Sequence, residues 1–198
     1  MEINPDSKVA DGISTLVVFI VLNVVYLLCC LPVVTIGAAS TALLDVMHRF
    51  ANEERGHLLR GFFEALRRDW KPATLVYLML GVPIAILLFA TTFWFEFGGL
   101  SALVGVVTGA GAVYAIAALV WACAQVARFE APAVQTVKNA LFFPMAHPLL
   151  TFGVLIVLAL APAFTIAFHP ALFLYLTVGA AFSAFVVVRL TNRAFAAH

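Results

Sequence analysis

Polar and apolar positions in this chain are segregated on the scale of whole helices rather than helix faces. Apolar runs at about 13–31, 74–95, 100–127, 149–168 and 171–190 each approach or exceed the ~20 residues that a helix rising 1.5 Å per residue needs to cross hydrocarbon. Pro32 stops the first run, and the string PVVTIG reads as a turn into a second, more polar helix within 33–51. If 33–51 is a return crossing, the first two helices form a hairpin, the chain crosses six times and the amino terminus is cytoplasmic. If it only continues the first helix into the interface, there are five crossings and the amino terminus is outside. The small residues Gly37, Ala38, Ala39, Ser40, Thr41 and Ala42 favour the hairpin, because they let a returning helix approach its neighbour closely. The pattern predicts an all-α, polytopic membrane bundle, one domain over 1–198.

One charged island interrupts the hydrocarbon, at 47–73. It holds Arg49, Arg55, Arg60, Arg67, Arg68 and Lys71, six of the eleven basic residues, so the positive-inside rule places it in the cytoplasm. Arg128, Lys138, Arg189 and Arg193 then fall on the same side, which makes the carboxyl terminus cytoplasmic, while the loop 96–99 and the turn His169–Pro170 carry no Lys or Arg and fall outside. Within the island, segment 57–70 is amphipathic: Leu58, Leu59, Phe62, Phe63, Leu66 and Trp70 recur at helical spacing, opposite Arg60, Glu64, Arg67 and Arg68. A helix of this kind lies flat on the membrane surface or docks its aromatic face into a partner's groove. A second short cytoplasmic helix is expected at 132–143, with Val134, Val137 and Leu141 on one face and Pro144 closing it.

Composition agrees. The chain of 198 residues is 64% hydrophobic and 11% charged, with a mean hydropathy of +1.08, against about 25% charged in soluble domains. Cys29, Cys30 and Cys123 lie in apolar runs without histidine at ligand spacing, so they read as small buried hydrophobes, and no metal or cofactor is expected. The run 13–31 exceeds the h-region of a signal peptide, about 7–15 residues, and reads as a membrane helix behind a polar tail, 1–12, that Pro5, Asp6 and Gly12 keep irregular.

A few polar side chains stand inside this framework. Asn23 in the first span can bond across helices. Asp45 is a carboxylate at or near membrane depth, costly unless paired, and Arg49 one turn away can pair with it. With His48 adjacent, a proton relay is the functional alternative to a structural pair near the cytoplasmic interface. Thr35 is placed to cap the second helix. Gly105 and Gly109 have the G-x-x-x-G spacing of close helix packing, expected within the protomer rather than at a dimer face. No G-x-S-x-G, H-E-x-x-H or phosphate loop occurs, and no serine or histidine forms a nucleophile–base pattern, so no catalytic residue is expected. No basic patch of the nucleic-acid-binding kind is visible.

Three stretches, LNVVYLLCCLPVVTIGAASTAL (22–43), NEERGHLLRGFFEALRRDWKPAT (52–74) and ARFEAPAVQTVKNAL (127–141), resemble the YesL family, domain of unknown function 624. Asp45 and His48 depart from its pattern, standing where aromatic or aliphatic residues are expected. The resemblance implies a bacterial inner-membrane protein, often encoded near carbohydrate uptake functions, with no family catalytic residues. It also makes Arg128, Glu130, Lys138 and Asn139 candidates for holding the second cytoplasmic helix against the first. The expected function is a non-enzymatic accessory protein in the lipid bilayer whose residues Leu58, Leu59, Phe62, Phe63, Leu66, Trp70, Arg60, Arg67 and Arg68 engage another membrane protein such as a sugar-importer permease, with or without homo-oligomerisation. The alternative is a small secondary transporter or channel-like protein acting by itself, with Asn23, Asp45 and Arg49 as its intramembrane polar groups.

Overall fold

The computed structural model describes residues 5–52, 56–167 and 171–195, and among them there is no strand. The expected turn at His169–Pro170, and Arg55 of the charged island, lie outside the described residues. Helix α1 (Pro5–Cys29) begins eight residues before the apolar run, because proline fits the first helical turn, so the expected irregular tail is helical from Pro5 onward. A single 3₁₀ turn, Val33–Thr35, links it to α2 (Ile36–Ala51). Then follow α3 (Leu58–Phe97), α4 (Ser101–Val126), α5 (Ala133–Ala146) and α6 (Pro148–Ala167). The last rod joins α7 (Ala171–Leu174), a π-helical segment (Tyr175–Gly179) and α8 (Ala180–Phe195).

Among the described residues, four helices are long and apolar enough to cross a membrane: Leu58–Phe97, Ser101–Val126, Pro148–Ala167 and Leu172–Phe195. The apolar stretch of α1, Ser14–Cys29, and the whole of α2 have 16 residues each, about 24 Å against the ~30 Å of a hydrocarbon core. Helix α2 is the centre of the bundle. Its Gly37–Leu44 run is buried apart from Ser40, which is only partly exposed, and the small side chains let α3 come close. A methyl group added at Gly37 would overlap the Tyr77 side chain and lie 2.9 Å from the Ala73 carbonyl oxygen. One core cluster joins α2 to α1, α6 and α8, with Phe19, Phe50 and Phe185 meeting edge to face at 5.1–6.2 Å. A second lies between α3, α4 and α5 and contains Trp121, whose indole N–H donates to the Thr151 hydroxyl at 3.0 Å.

The separate surface helix expected at 57–70 is not found: these residues are the first turns of a 40-residue α3 that continues through Pro72 and Pro83. A proline removes one N–H, which a packed membrane helix tolerates. Helices α3 and α4 turn at Gly98 and Gly99, both left-handed (φ +62° and +57°), a conformation that L side chains rarely adopt. Gly105 and Gly109 then pack on Phe95 and Thr91 of α3, so this G-x-x-x-G pair works within the protomer, as expected. Two expectations at helix ends are corrected. The Thr35 hydroxyl does not cap α2 but donates to the Cys29 and Pro32 carbonyls (2.6 and 2.7 Å), closing the end of α1. Pro144 does not end α5 but lies inside it, and the buried face is Thr136, Val137, Ala140 and Pro144, leaving Val134 and Leu141 exposed.

Candidate functional site: a charged cavity and an exposed aromatic stripe

Asp45 enters the site from the last turns of α2, with its side chain only 9% exposed. A carboxylate so placed is costly unless paired and hydrogen-bonded. Arg49, one turn on, supplies both Nε and Nη2 to Asp45 Oδ2 at 3.0 Å. The other oxygen faces Arg68 Nη2 of α3 at 3.7 Å, and Arg68 in turn grips Asp69 through Nε–Oδ1 (2.9 Å) and Nη2–Oδ2 (2.6 Å). The sequence pair Asp45–Arg49 is therefore half of a four-member chain, Arg49–Asp45–Arg68–Asp69, that ties α2 to α3. Donation to Asp69, aided by the charges of Asp69 and Asp45, raises the Arg68 pKa above the ordinary guanidinium value despite partial burial.

A cavity of about 800 Å³ opens beside this chain of charges. Its walls come from Asp45, His48 and Arg49 of α2, Arg68, Asp69 and Pro72 of α3, and the stretch 126–132 that leads from α4 to α5. Arg128 on the third wall is held from two directions. Its Nη1 donates to Asn192 Oδ1 of α8 at 2.9 Å, and its guanidinium lies 4.7 Å from the centre of the Phe195 ring. Burial lowers the Arg128 pKa from its ordinary value. Expected to clamp the second cytoplasmic helix to the first, Arg128 instead clamps the α4–α5 link to α8. Glu130 is exposed on the same wall. Lys138 and Asn139 are exposed on α5, with Asn139 accepting from Gln135 at 2.9 Å and lining a second cavity, of about 550 Å³, beside buried Gln125.

The nine residues expected to face a partner divide. Leu58 and Phe62 are buried against α2, with Leu66 partly buried beside them, so the groove for that half of the apolar face is the chain's own α2. Leu59, Phe63 and Trp70 remain 39, 49 and 53% exposed. With Leu66 they fall at i, i+4, i+7 and i+11, one continuous stripe. Arg60 and Arg67 are exposed beside it, with Arg60 paired to Glu64 at 2.8 Å, and Arg68 turns to the cavity.

Asn23 is fully buried and bonds across helices as expected, but to a feature the sequence does not announce. Its Nδ2 donates to the Tyr175 and Leu176 carbonyls (3.2 and 2.6 Å), and its Oδ1 accepts from the Ala181 N–H at 3.0 Å. A π-helical turn displaces backbone groups from their i→i+4 partners. A single amide side chain on α1 bonds to three backbone groups, two carbonyls in the π segment and one N–H just after it.

The family comparison matches one part of the chain. Residues 19–91 match the family described as Protein of unknown function, DUF624. No curated protein and no solved structure matches the chain. The DUF624 stretch runs from the middle of α1 through most of α3, so it contains Asn23, the Arg49–Asp45–Arg68–Asp69 chain and the exposed stripe. The third wall of the cavity, with Arg128 and Glu130, lies beyond it. Asp69, Gln125 and Asn192 are the polar residues that sequence reasoning missed. Asp69 had a signal in its adjacency to Arg68, whereas Asn192 reaches Arg128 across 64 positions and had none.

Proposed function

We propose that this chain is a non-catalytic accessory protein of the bacterial inner membrane that docks a second membrane protein through the first turns of α3. The observation that carries the reading is the division of the amphipathic face. Helix α2 covers Leu58 and Phe62, yet Leu59, Phe63 and Trp70 stay uncovered in a row beside Arg60 and Arg67. Aromatic and arginine side chains are the residue types that dominate docking energetics. The matching surface is an apolar groove with an acidic rim on a cytoplasmic segment, and the resemblance to the YesL family makes a sugar-importer permease the first partner to test. The proposed topology keeps 47–73 and the carboxyl terminus in the cytoplasm, with α1 and α2 as a hairpin.

Co-purification from native membranes in mild detergent tests this. Leu59→Glu/Phe63→Glu changes only exposed positions and is expected to cut partner recovery at least ~5-fold, the equivalent of about 1 kcal/mol, while the chain extracts as before. Unchanged recovery overturns the docking role. The second reading, solute transport by the chain itself, is favoured by the charged cavity. Solute uptake by proteoliposomes holding the purified chain alone would establish it in place of the first.

A further inference from the structure

The charges around the cavity fall into two groups. On one side Arg49, Asp45, Arg68 and Asp69 satisfy one another. On the other, Arg128 and Glu130 do not: among the described residues neither has an oppositely charged group within 4.0 Å. Asn192 holds one edge of the Arg128 guanidinium and Phe195 one face, while Glu130 stays exposed on the same wall. An arginine fixed along one edge and one face keeps its remaining N–H donors in a set direction for a third group, and phosphate is the anion that a planar guanidinium fits best. Glu130 on the same wall offers an acceptor for a cation.

The depth of the cavity narrows the occupant. Val126 and Ala127, where apolar α4 ends, line it, as does Pro72, just before the apolar reach of α3 begins. On the proposed topology the opening lies where hydrocarbon gives way to headgroups, and its volume of about 800 Å³ exceeds that of a single headgroup. A plain anion would satisfy Arg128 but would meet Asp45, Asp69 and Glu130 as well. A plain cation meets the three arginines. We propose that the cavity takes a phosphate–ammonium zwitterion, the chemistry of a phosphoethanolamine group, with the phosphate on Arg128 and the ammonium on Glu130. A quaternary ammonium has no N–H to give Glu130, so a phosphocholine group fits less well. The proposal does not rest on the docking stripe, since neither Leu59 nor Phe63 lines the cavity.

Native mass spectrometry of the delipidated full chain in mild detergent tests it, by titration with phosphatidylethanolamine, phosphatidylglycerol and phosphatidylcholine of identical acyl chains. The expected result is retention of phosphatidylethanolamine about tenfold over phosphatidylglycerol, the worth of one charge-assisted hydrogen bond, with phosphatidylcholine between them. Glu130→Gln alters an exposed, unpaired side chain and is expected to bring that preference below about twofold, and Arg128→Gln to weaken both phospholipids together. A fourth arm adds soluble glycerophosphoethanolamine. Displacement of the lipid at equal concentration supports the assigned chemistry with a soluble source, and failure to displace it supports the chemistry with the lipid as source. Equal retention of phosphatidylethanolamine and phosphatidylglycerol by the unaltered chain, or a preference that survives Glu130→Gln, overturns the proposal.

Discussion

Asn23 shows what one polar side chain is worth inside a membrane protein. Interhelical hydrogen bonds in membranes average only about 0.6 kcal/mol, because the unpacked helices find other partners. Asn23 makes three, to backbone groups of the π segment and of the first turn of α8. Asn23→Ala is therefore expected to cost about 1–3 kcal/mol, the range for leaving buried polar groups unsatisfied, read as a shift in a denaturing-detergent unfolding midpoint. A loss near the 0.6 kcal/mol average would show that the π segment relaxes without its partner. Asp45 tests a different balance. Removing it takes from Arg49 the carboxylate it donates to twice, while Arg68 keeps Asp69, so Asp45→Ala is expected to destabilise by about 1–3 kcal/mol. A double-mutant cycle with Arg49→Ala should return a coupling of at least about 0.5 kcal/mol. The residue scale was partly legible. The Asp45–Arg49 pair follows from one-turn spacing on a helix, whereas the contacts of Asp45 with Arg68 and of Arg128 with Asn192 run between elements and no local pattern announces them.

At the scale of elements, periodicity identified which face of 57–70 is apolar but not what covers it. That depends on tertiary placement, and the cover for Leu58 and Phe62 turned out to be α2. The small-residue run 37–42 was the clue, since a helix without large side chains must be packed closely by something. Gly37→Ala should accordingly force α2 and α3 apart, at about 1–3 kcal/mol. Gly81→Ala, where the nearest atoms are 3.8 Å away, should be neutral or slightly stabilising in the same unfolding assay. Equal effects at the two glycines would contradict the close approach. The π segment and the continuity of α3 through Pro72 were not legible: π turns have no sequence signature, and a proline ahead of an apolar run marks a boundary as readily as a tolerated kink.

For the whole molecule, the apolar runs are enough to give an all-helical, membrane-spanning bundle, because burying a backbone in hydrocarbon leaves a helix as the solution for such runs. Sidedness comes from a separate term, the distribution of arginines, and the docking reading depends on it directly. The same surface distinguishes Phe62 from Phe63. Phe62→Glu places a charge at a fully buried position and should prevent folding, while Phe63→Glu should leave the unfolding midpoint within about 0.5 kcal/mol. The most direct measurement is therefore labelling of single cysteines placed at Phe63 and Arg67, in a chain whose three native cysteines are replaced, using a membrane-impermeant thiol reagent. The account predicts modification in inside-out vesicles and none in intact cells, and modification in intact cells would contradict it by putting the stripe on the wrong side of the membrane.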